Sequence, residues 1–292
     1  MSNSTKIYQR LPSWLKTRLP RNPRFFQLKS LLKETGLNTV CESASCPNIG
    51  ACWDAGTLTF MILGDTCTRA CRFCDVPTGD LNEPDSNEPE KVALSLSRLD
   101  LKFAVITSVD RDDLPDGGAE HWIKTIVAIK GRCPDIKIEA LIPDFQGVMK
   151  WVGKICEVQP DVLAHNIETV ESLQKQVRPQ CRYEWSLETL ETAANSGSVI
   201  VKSGLMLGLG EKRGEVIQAM RDMIKAGCQI LSIGQYLRPT PAHTEVVEFI
   251  HPDQFLEYKI IGESLGLKHV EAGPLVRSSY LADQQARAVG LV

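Results

Sequence analysis

The pattern of apolar and polar positions changes character near residue 57 of the chain. Beyond it, short runs rich in β-branched residues and apolar on both faces alternate with longer stretches in which apolar residues recur at helical spacing. The runs predict strands over 57–63, 103–109, 136–142, 162–168, 199–207 and 230–237. The longer stretches predict helices over 88–99, 119–131, 146–156, 169–177 with 184–195, 214–226 and 252–265. Six βα units fall short of the eight of a closed barrel. The expected fold is therefore α/β, a partial (β/α)6 TIM-like barrel with N-terminal and C-terminal extensions; a doubly wound sheet shares the same periodicity. The expected division is 1–56, 57–266 and 267–292. In parallel α/β folds the carboxyl ends of the strands carry the site, and polar residues cluster there. They include the loop after Leu63, the run Asp110-Arg111-Asp112-Asp113, and Asn166-Ile167-Glu168.

Before residue 57 the pattern is irregular. Lys6, Arg10, Lys16, Arg18, Arg21, Arg24, Lys29 and Lys33 precede the first acid, Glu34, and Pro12, Pro20 and Pro23 interrupt any long helix. This reads as a basic arm with a short helix near 25–34, which could be a solvated tail, a transit segment or a docking arm for an acidic partner. Over the whole chain, 33 basic residues against 36 acidic ones leave a net charge of -3, which argues against a chain-wide nucleic-acid binder. No apolar run approaches the ~18–20 residues of a membrane span, and no signal-peptide pattern opens the sequence. A soluble bacterial cytoplasmic protein, monomeric, is expected, with an organellar location as the alternative.

Ten cysteines alter this picture, because six of them lie between Cys41 and Cys74. Cys67-Thr68-Arg69-Ala70-Cys71-Arg72-Phe73-Cys74 is a C-x3-C-x2-C triplet directly after the first strand. Three thiolates on a short loop can hold three irons of a four-iron cluster and leave one iron open. Structural zinc asks for four ligands and no open corner. Arg69 and Arg72 are expected to favour the thiolate form. Cys41, Cys46 and Cys52 make a second triplet, C-x4-C-x5-C; zinc with a fourth ligand from elsewhere is a fair alternative, yet two such sets in 34 residues suggest a second cluster. Cys133, Cys156, Cys181 and Cys228 read as core packing.

The first triplet in this context resembles the radical S-adenosylmethionine superfamily, including the aromatic Phe73 before its third cysteine. Both triplets together resemble the lipoyl synthase family. So do Cys46-Pro47-Asn48, Ile62-Leu63-Gly64, Thr107 to Leu114 with Gly117-Gly118-Ala119, and Gly273-Pro274-Leu275-Val276-Arg277-Ser278-Ser279-Tyr280. The resemblance runs from about residue 25 to residue 285. It implies insertion of two sulfurs at C6 and C8 of an octanoyl chain on a carrier-protein lysine. It also implies S-adenosyl-L-methionine and two [4Fe-4S] clusters. One, on Cys67, Cys71 and Cys74, generates the radical; the other, an auxiliary cluster on Cys41, Cys46 and Cys52, supplies sulfur. Ser279, with Ser278 as runner-up, would complete the auxiliary cluster and act in catalysis. Implied partners are octanoylated lipoyl carrier domains or the glycine-cleavage carrier protein, an electron donor and an iron–sulfur carrier, without nucleic acid or membrane. Another radical sulfur-inserting enzyme, or a non-catalytic zinc or cluster module, is the competing reading.

Weaker expectations concern the nucleotide. Phe73 would lie near adenine, and Asn166 and Glu168 would meet the ribose or methionine end. Lys202 and the following Ser203-Gly204, with Gly208-Leu209-Gly210-Glu211, would approach adenine. Gln235 and Arg238 either face the cavity or make structural bonds, and His165 reads as structural. Asp110 to Asp113 could form a helix cap and ion-pair network. The simpler role of Ser278 and Ser279 is to cap a helix over 280–289.

Overall fold

The structure is a computed structural model, which describes residues 10–17, 22–54, 57–99 and 101–291. Residues 1–9 and 18–21 of the basic arm, including Lys6, Arg18 and Arg21, lie outside the described residues. Eight strands form one sheet: β1 (Asn38–Thr39), β2 (Thr59–Ile62), β3 (Phe103–Ser108), β4 (Lys137–Leu141), β5 (Val162–Ala164), β6 (Ile200–Leu207), β7 (Ile230–Gln235) and β8 (His269–Gly273). They pair in sequence order, β1 antiparallel to β2 and every later neighbour parallel. A doubly wound sheet would reverse its order at a central switch point. The sequential order is that of a barrel, and it remains open between β1 and β8.

All six expected strands are present. The sheet adds β8, which pairs Leu231 with Val270 inside the segment expected to be a C-terminal extension. Only Val270 of His269-Val270-Glu271-Ala272-Gly273 is buried, so no apolar run announces the strand. Strand β5 stops at Ala164 instead of reaching Glu168. Beyond it the chain still follows β6, with the Glu168 amide bonded to the Gly204 carbonyl and the Met206 amide to that of Glu168. Glu168 itself takes a left-handed φ of 66°, which breaks the ladder.

Helices follow the apolar periodicity where capping agrees with it. Pro23–Thr35 begins with Pro at its first turn and Asn22 accepting the Arg24 amide at 3.0 Å; it ends on Gly36 at φ 68°. Glu88–Leu99 and Pro252–Leu265 match their expected limits. The helix expected over 146–156 starts only at Met149, because Phe145 and Gln146 stand at φ 46° and 53°. Over 169–177 there are two short turns, Glu171–Leu173 and Gln174–Val177. The last helix is Ala282–Ala288, entered through Leu281 without a side-chain cap, so neither Ser278 nor Ser279 caps it. Packing of Val92, Trp122, Ile126, Val152 and Leu190 against Ile62, Ile138 and Leu163 forms the main core and anchors the strand ends that carry the site.

Candidate active site

At the carboxyl end of the sheet a cavity of about 510 Å³ opens. Its wall includes Cys41 and Cys46 from one triplet, Cys67, Cys71 and Cys74 from the other, and Ser278 and Ser279 from the C-terminal segment. Cys52 is half-buried and does not line the cavity, but it lies close enough to Cys46 and Cys41 to feel their charge. All ten cysteines are free thiols. Burial pushes Cys52 and Cys67 up to about 12 and Cys74 up to about 11, and it raises Cys41 as well. Such thiols stay protonated near neutral pH, and only a bound cation would make them thiolates. Among the described residues no three His, Cys, Asp or Glu side chains converge on a position for one ion. An iron–sulfur cluster instead takes its thiolates at separate corners, and two all-thiol triplets, five of whose six cysteines face shared space, suit such a group in donor type.

The expected activation of these thiols by Arg69 and Arg72 is not found. Arg72 is exposed. Arg69 is buried, and its guanidinium is taken by Asp112 at 2.7 and 2.9 Å and by Asp144 at 2.7 Å. Arg111 is likewise paired with Asp113, at 2.8 Å. The run Asp110 to Asp113 thus forms the expected ion-pair network. It caps no helix, however: the helix from Ala119 has Gly118 as its N-cap residue, and the Gly118 and Glu120 amides are taken by Asp116.

The two triplets are tied to one another and to the C-terminal segment. Ser45, beside Cys46, donates to Asp75, beside Cys74, at 2.6 Å. Asn48, buried, donates to the Leu275 carbonyl at 2.6 Å. A Cβ on Gly234 would run into the Val276 carbonyl, so only a bare backbone lets the C-terminal segment come down on β7. Arg277 is held close to both Cys46 and Glu168. Ser278 donates to Asn166 Oδ1 at 2.9 Å, and Asn166 donates in turn to Glu168 at 3.0 Å. Ser279 is half-buried on the cavity wall. Burial raises the Glu168 carboxyl above its ordinary range, despite Arg178 and Asn166.

Of the expected nucleotide contacts, Phe73, Asn166 and Glu168 line the cavity. Gly204 also lines it, and a Cβ there would meet Asn166 Oδ1 at 2.6 Å. Lys202 does not line the cavity. It is fully buried and paired with Glu139 of β4 at 2.9 and 3.0 Å, which corrects its expected place beside the nucleotide. Gly208 and Leu209 also stand apart from the cavity; their amides bind the Glu211 carboxylate in a turn. Gln235 reaches the wall but spends its amide on the Leu207, Tyr236 and Glu248 carbonyls. Arg238 organises the loop beyond it through the His243 carbonyl at 2.9 Å. That loop returns to the first triplet, since His243 donates to the Cys74 carbonyl at 2.9 Å and the Thr244 amide to that of Arg72. His165, expected to be structural, is on the cavity wall with both ring nitrogens bonded, to the Ile142 carbonyl and to Ser186. Arg178 lines the cavity as well, and Asp144 and Cys181 lie behind the loop of the first triplet; none of the three was expected at the site. The one available signal was Arg69 itself, a charge inside a motif that folds inward and so needs a buried counter-ion.

Comparison with known proteins accords with this geometry. A model of the radical SAM superfamily matches residues 61–223, and a model of the N-terminal domain of lipoyl synthase matches residues 2–46. Lipoyl synthase of Flavobacterium psychrophilum is 51% identical over 94% of this chain and 94% of its own. The Thermus thermophilus lipoyl synthase is 51% identical over 94% of this chain and 85% of its own; the mitochondrial one of Nematostella vectensis is 50% identical over 94% of each. Among solved structures, methylornithine synthase aligns with a TM-score of 0.52 at 15% identity, over 64% of this chain and 55% of that one. Streptococcus suis SuiB bound to S-adenosylmethionine aligns with a TM-score of 0.55 at 10% identity, over 77% and 52%. These two likenesses speak for the fold, a partial barrel. With half its residues shared with full-length relatives, the chain belongs to the lipoyl synthase family of the radical S-adenosylmethionine superfamily.

Proposed function

We propose that the chain inserts two sulfur atoms, at C6 and C8, into an octanoyl group carried on a lysine of an acidic carrier protein. The observation that carries this reading is the opening of Cys67, Cys71 and Cys74, of Cys41 and Cys46, and of the Ser278-Ser279 pair onto one cavity. Cys67, Cys71 and Cys74 would hold a four-iron cluster with one open iron. Cys41, Cys46 and Cys52 would hold the auxiliary cluster, with Ser279 as its remaining ligand. An alkoxide is a hard donor on an iron that otherwise takes thiolate, so that corner would release more readily than a fourth cysteine. Ser278 is the weaker choice because its hydroxyl already serves Asn166.

When bound, S-adenosylmethionine and a reduced cluster supply a carbon-centred radical able to remove hydrogens that no side chain of ordinary pKa can take. The protein's own part is placement. Phe73, Asn166, Glu168 and Gly204 would position the nucleotide. Val40, Met61, Val76 and Leu141 provide apolar wall for a hydrocarbon chain. Arg277, between Cys46 and Glu168, links the two halves of the site electrostatically. The N-terminal segment with Cys41, Cys46 and Cys52 and the chain after β8 with Ser278 and Ser279 would bring the sulfur source to the barrel, which takes in β8 from the expected 267–292 extension. No helix of the described residues is long and apolar enough to cross a membrane. We place the enzyme in a bacterial cytoplasm as a monomer, served by an electron donor and an iron–sulfur carrier.

Anaerobic turnover with an octanoyl-lysine carrier domain, reductant and S-adenosylmethionine tests the reading. It should yield 5′-deoxyadenosine and a dithiolated carrier, from protein holding about eight irons per chain. Ser279→Ala should keep the radical-generating cluster and lose sulfur insertion, whereas Ser278→Ala should retain insertion. Absence of product with both clusters intact overturns the proposal, and full insertion by Ser279→Ala overturns the ligand assignment.

A further inference from the structure

The segment that carries Ser278 and Ser279 hangs between two anchors, and the second belongs to a residue the function above does not use. Ahead of the serines, Asn48 holds the Leu275 carbonyl at 2.6 Å and the Gln235 amide holds that of Pro274 at 3.3 Å. Ser278 and Ser279 then occupy the middle of a turn closed by the Tyr280 amide on the Arg277 carbonyl at 2.9 Å. Leu281 follows in the left-handed region, at φ 49°, which a residue other than glycine adopts only where its surroundings hold it there. Gln285 does the holding. Its backbone amide donates to the Leu281 carbonyl at 3.0 Å and its side-chain Nε2 to the Tyr280 carbonyl at 2.6 Å, so the carbonyls on both sides of the Leu281 α-carbon end on one residue. Its Oε1 accepts from the Ser232 hydroxyl of β7 at 3.2 Å, and Ser232 lines the cavity.

Gln285 is 1% exposed, in a short helix whose other buried residues are Ala282 and Ala286. A carboxamide that only filled this space would give up its hydration without return, and an apolar side chain would pack as well. Here both ends of the carboxamide are used, one on the sheet and one on the carbonyl of the residue directly after Ser279. The bond to Ser232 crosses 53 positions of sequence and fastens the chain beyond the serines to the cavity face of β7. We propose that Gln285 is a positioning residue for the auxiliary site: by bridging Ser232 and the Tyr280 carbonyl, it fixes the turn that presents Ser279 to the cavity. This rests on Ser279 being the remaining ligand of the auxiliary cluster, and it makes the placement of that ligand a property of the metal-free chain.

Gln285→Met keeps the bulk of the side chain and removes both of its side-chain bonds. In the full chain without clusters, amide hydrogen exchange over 277–281 should then run about tenfold faster than in wild type, with exchange in β3 to β6 unchanged. Ser232→Ala, which spares the Tyr280 bond, should give a smaller rise over the same stretch. Loaded with iron and sulfide, Gln285→Met should hold about four irons where wild type holds about eight. It should still cleave S-adenosylmethionine at the wild-type rate while forming little dithiolated carrier. Unchanged exchange over 277–281, a rise that extends to β3–β6, full iron in Gln285→Met, or loss of both clusters together overturns the proposal. Ser279→Ala tells the two failures apart. If it keeps full iron and sulfur insertion, the ligand reading has failed; if it loses them while Gln285→Met does not, only the role of Gln285 has.

Discussion

Lys202 and His165 show how a buried polar residue is governed by its partners more than by its type. Lys202 is wholly buried on β6 with its ammonium between both carboxylate oxygens of Glu139 on β4. Such a pair contributes little net stability, although removing one partner alone strands the other charge. His165 is bonded at both ring nitrogens, and burial lowers it to about 4. In the folded chain it stays neutral, while in the unfolded chain it titrates near its ordinary ~6.5. Its contribution is complete above pH 6.5, declines as pH falls towards 4, and is constant below. In His165→Gln, less stable at pH 7, the deficit against wild type should shrink by about 2 kcal/mol between pH 7 and pH 5. Urea unfolding at both pH values measures it, and a deficit that does not change with pH would show that His165 titrates alike in both states.

Between elements, short polar links do the work of registration. Ser45 with Asp75 joins the two triplet loops, and Asn48 with the Leu275 carbonyl joins the second triplet to the chain that carries Ser279. Neither loop has a core of its own, and the longer of these links spans 227 positions of sequence. Asn48→Ala leaves the Leu275 carbonyl without its donor, which costs about 1–3 kcal/mol. We expect a matching fall in unfolding free energy and a loss of iron confined to the auxiliary site, measured by denaturation and iron analysis. Unaltered stability and full iron in Asn48→Ala would mean that Ser279 is placed by other contacts. The link was not readable in advance. Cys46-Pro47-Asn48 is visible as a motif, but the partner of Asn48 depends on β8 and the turn after it, which the apolar pattern does not reveal.

At the scale of the whole molecule, a net charge of -3 is compatible with a strongly basic N-terminal region. Arg10, Lys16, Arg24, Lys29 and Lys33 are exposed, and the lipoyl synthase N-terminal match covers residues 2–46. Long-range attraction of an acidic carrier would act on encounter and weaken with salt, since charges are screened beyond about 8 Å at physiological ionic strength. Deleting residues 1–20 should therefore weaken carrier binding at low salt and flatten its salt dependence; an unchanged salt dependence removes the arm from recognition. Six parallel strands and the two cysteine triplets were legible in the sequence, because apolar periodicity and ligand spacing are local properties of the chain. The strand β8, the burial of Lys202 against Glu139 and the bond of Arg69 to Cys181 were not legible. Each depends on which residues from distant parts of the sequence meet once the sheet curls. The sequence by itself determined an α/β chain that presents two sets of three thiols. Only the tertiary structure decided that five of these six thiols open on one cavity, that a serine-bearing tail comes down beside them, and which buried charges lie behind. The reason is physical: spacing specifies what a loop can bind, whereas burial and long-range contacts specify where it binds and at what cost in charge.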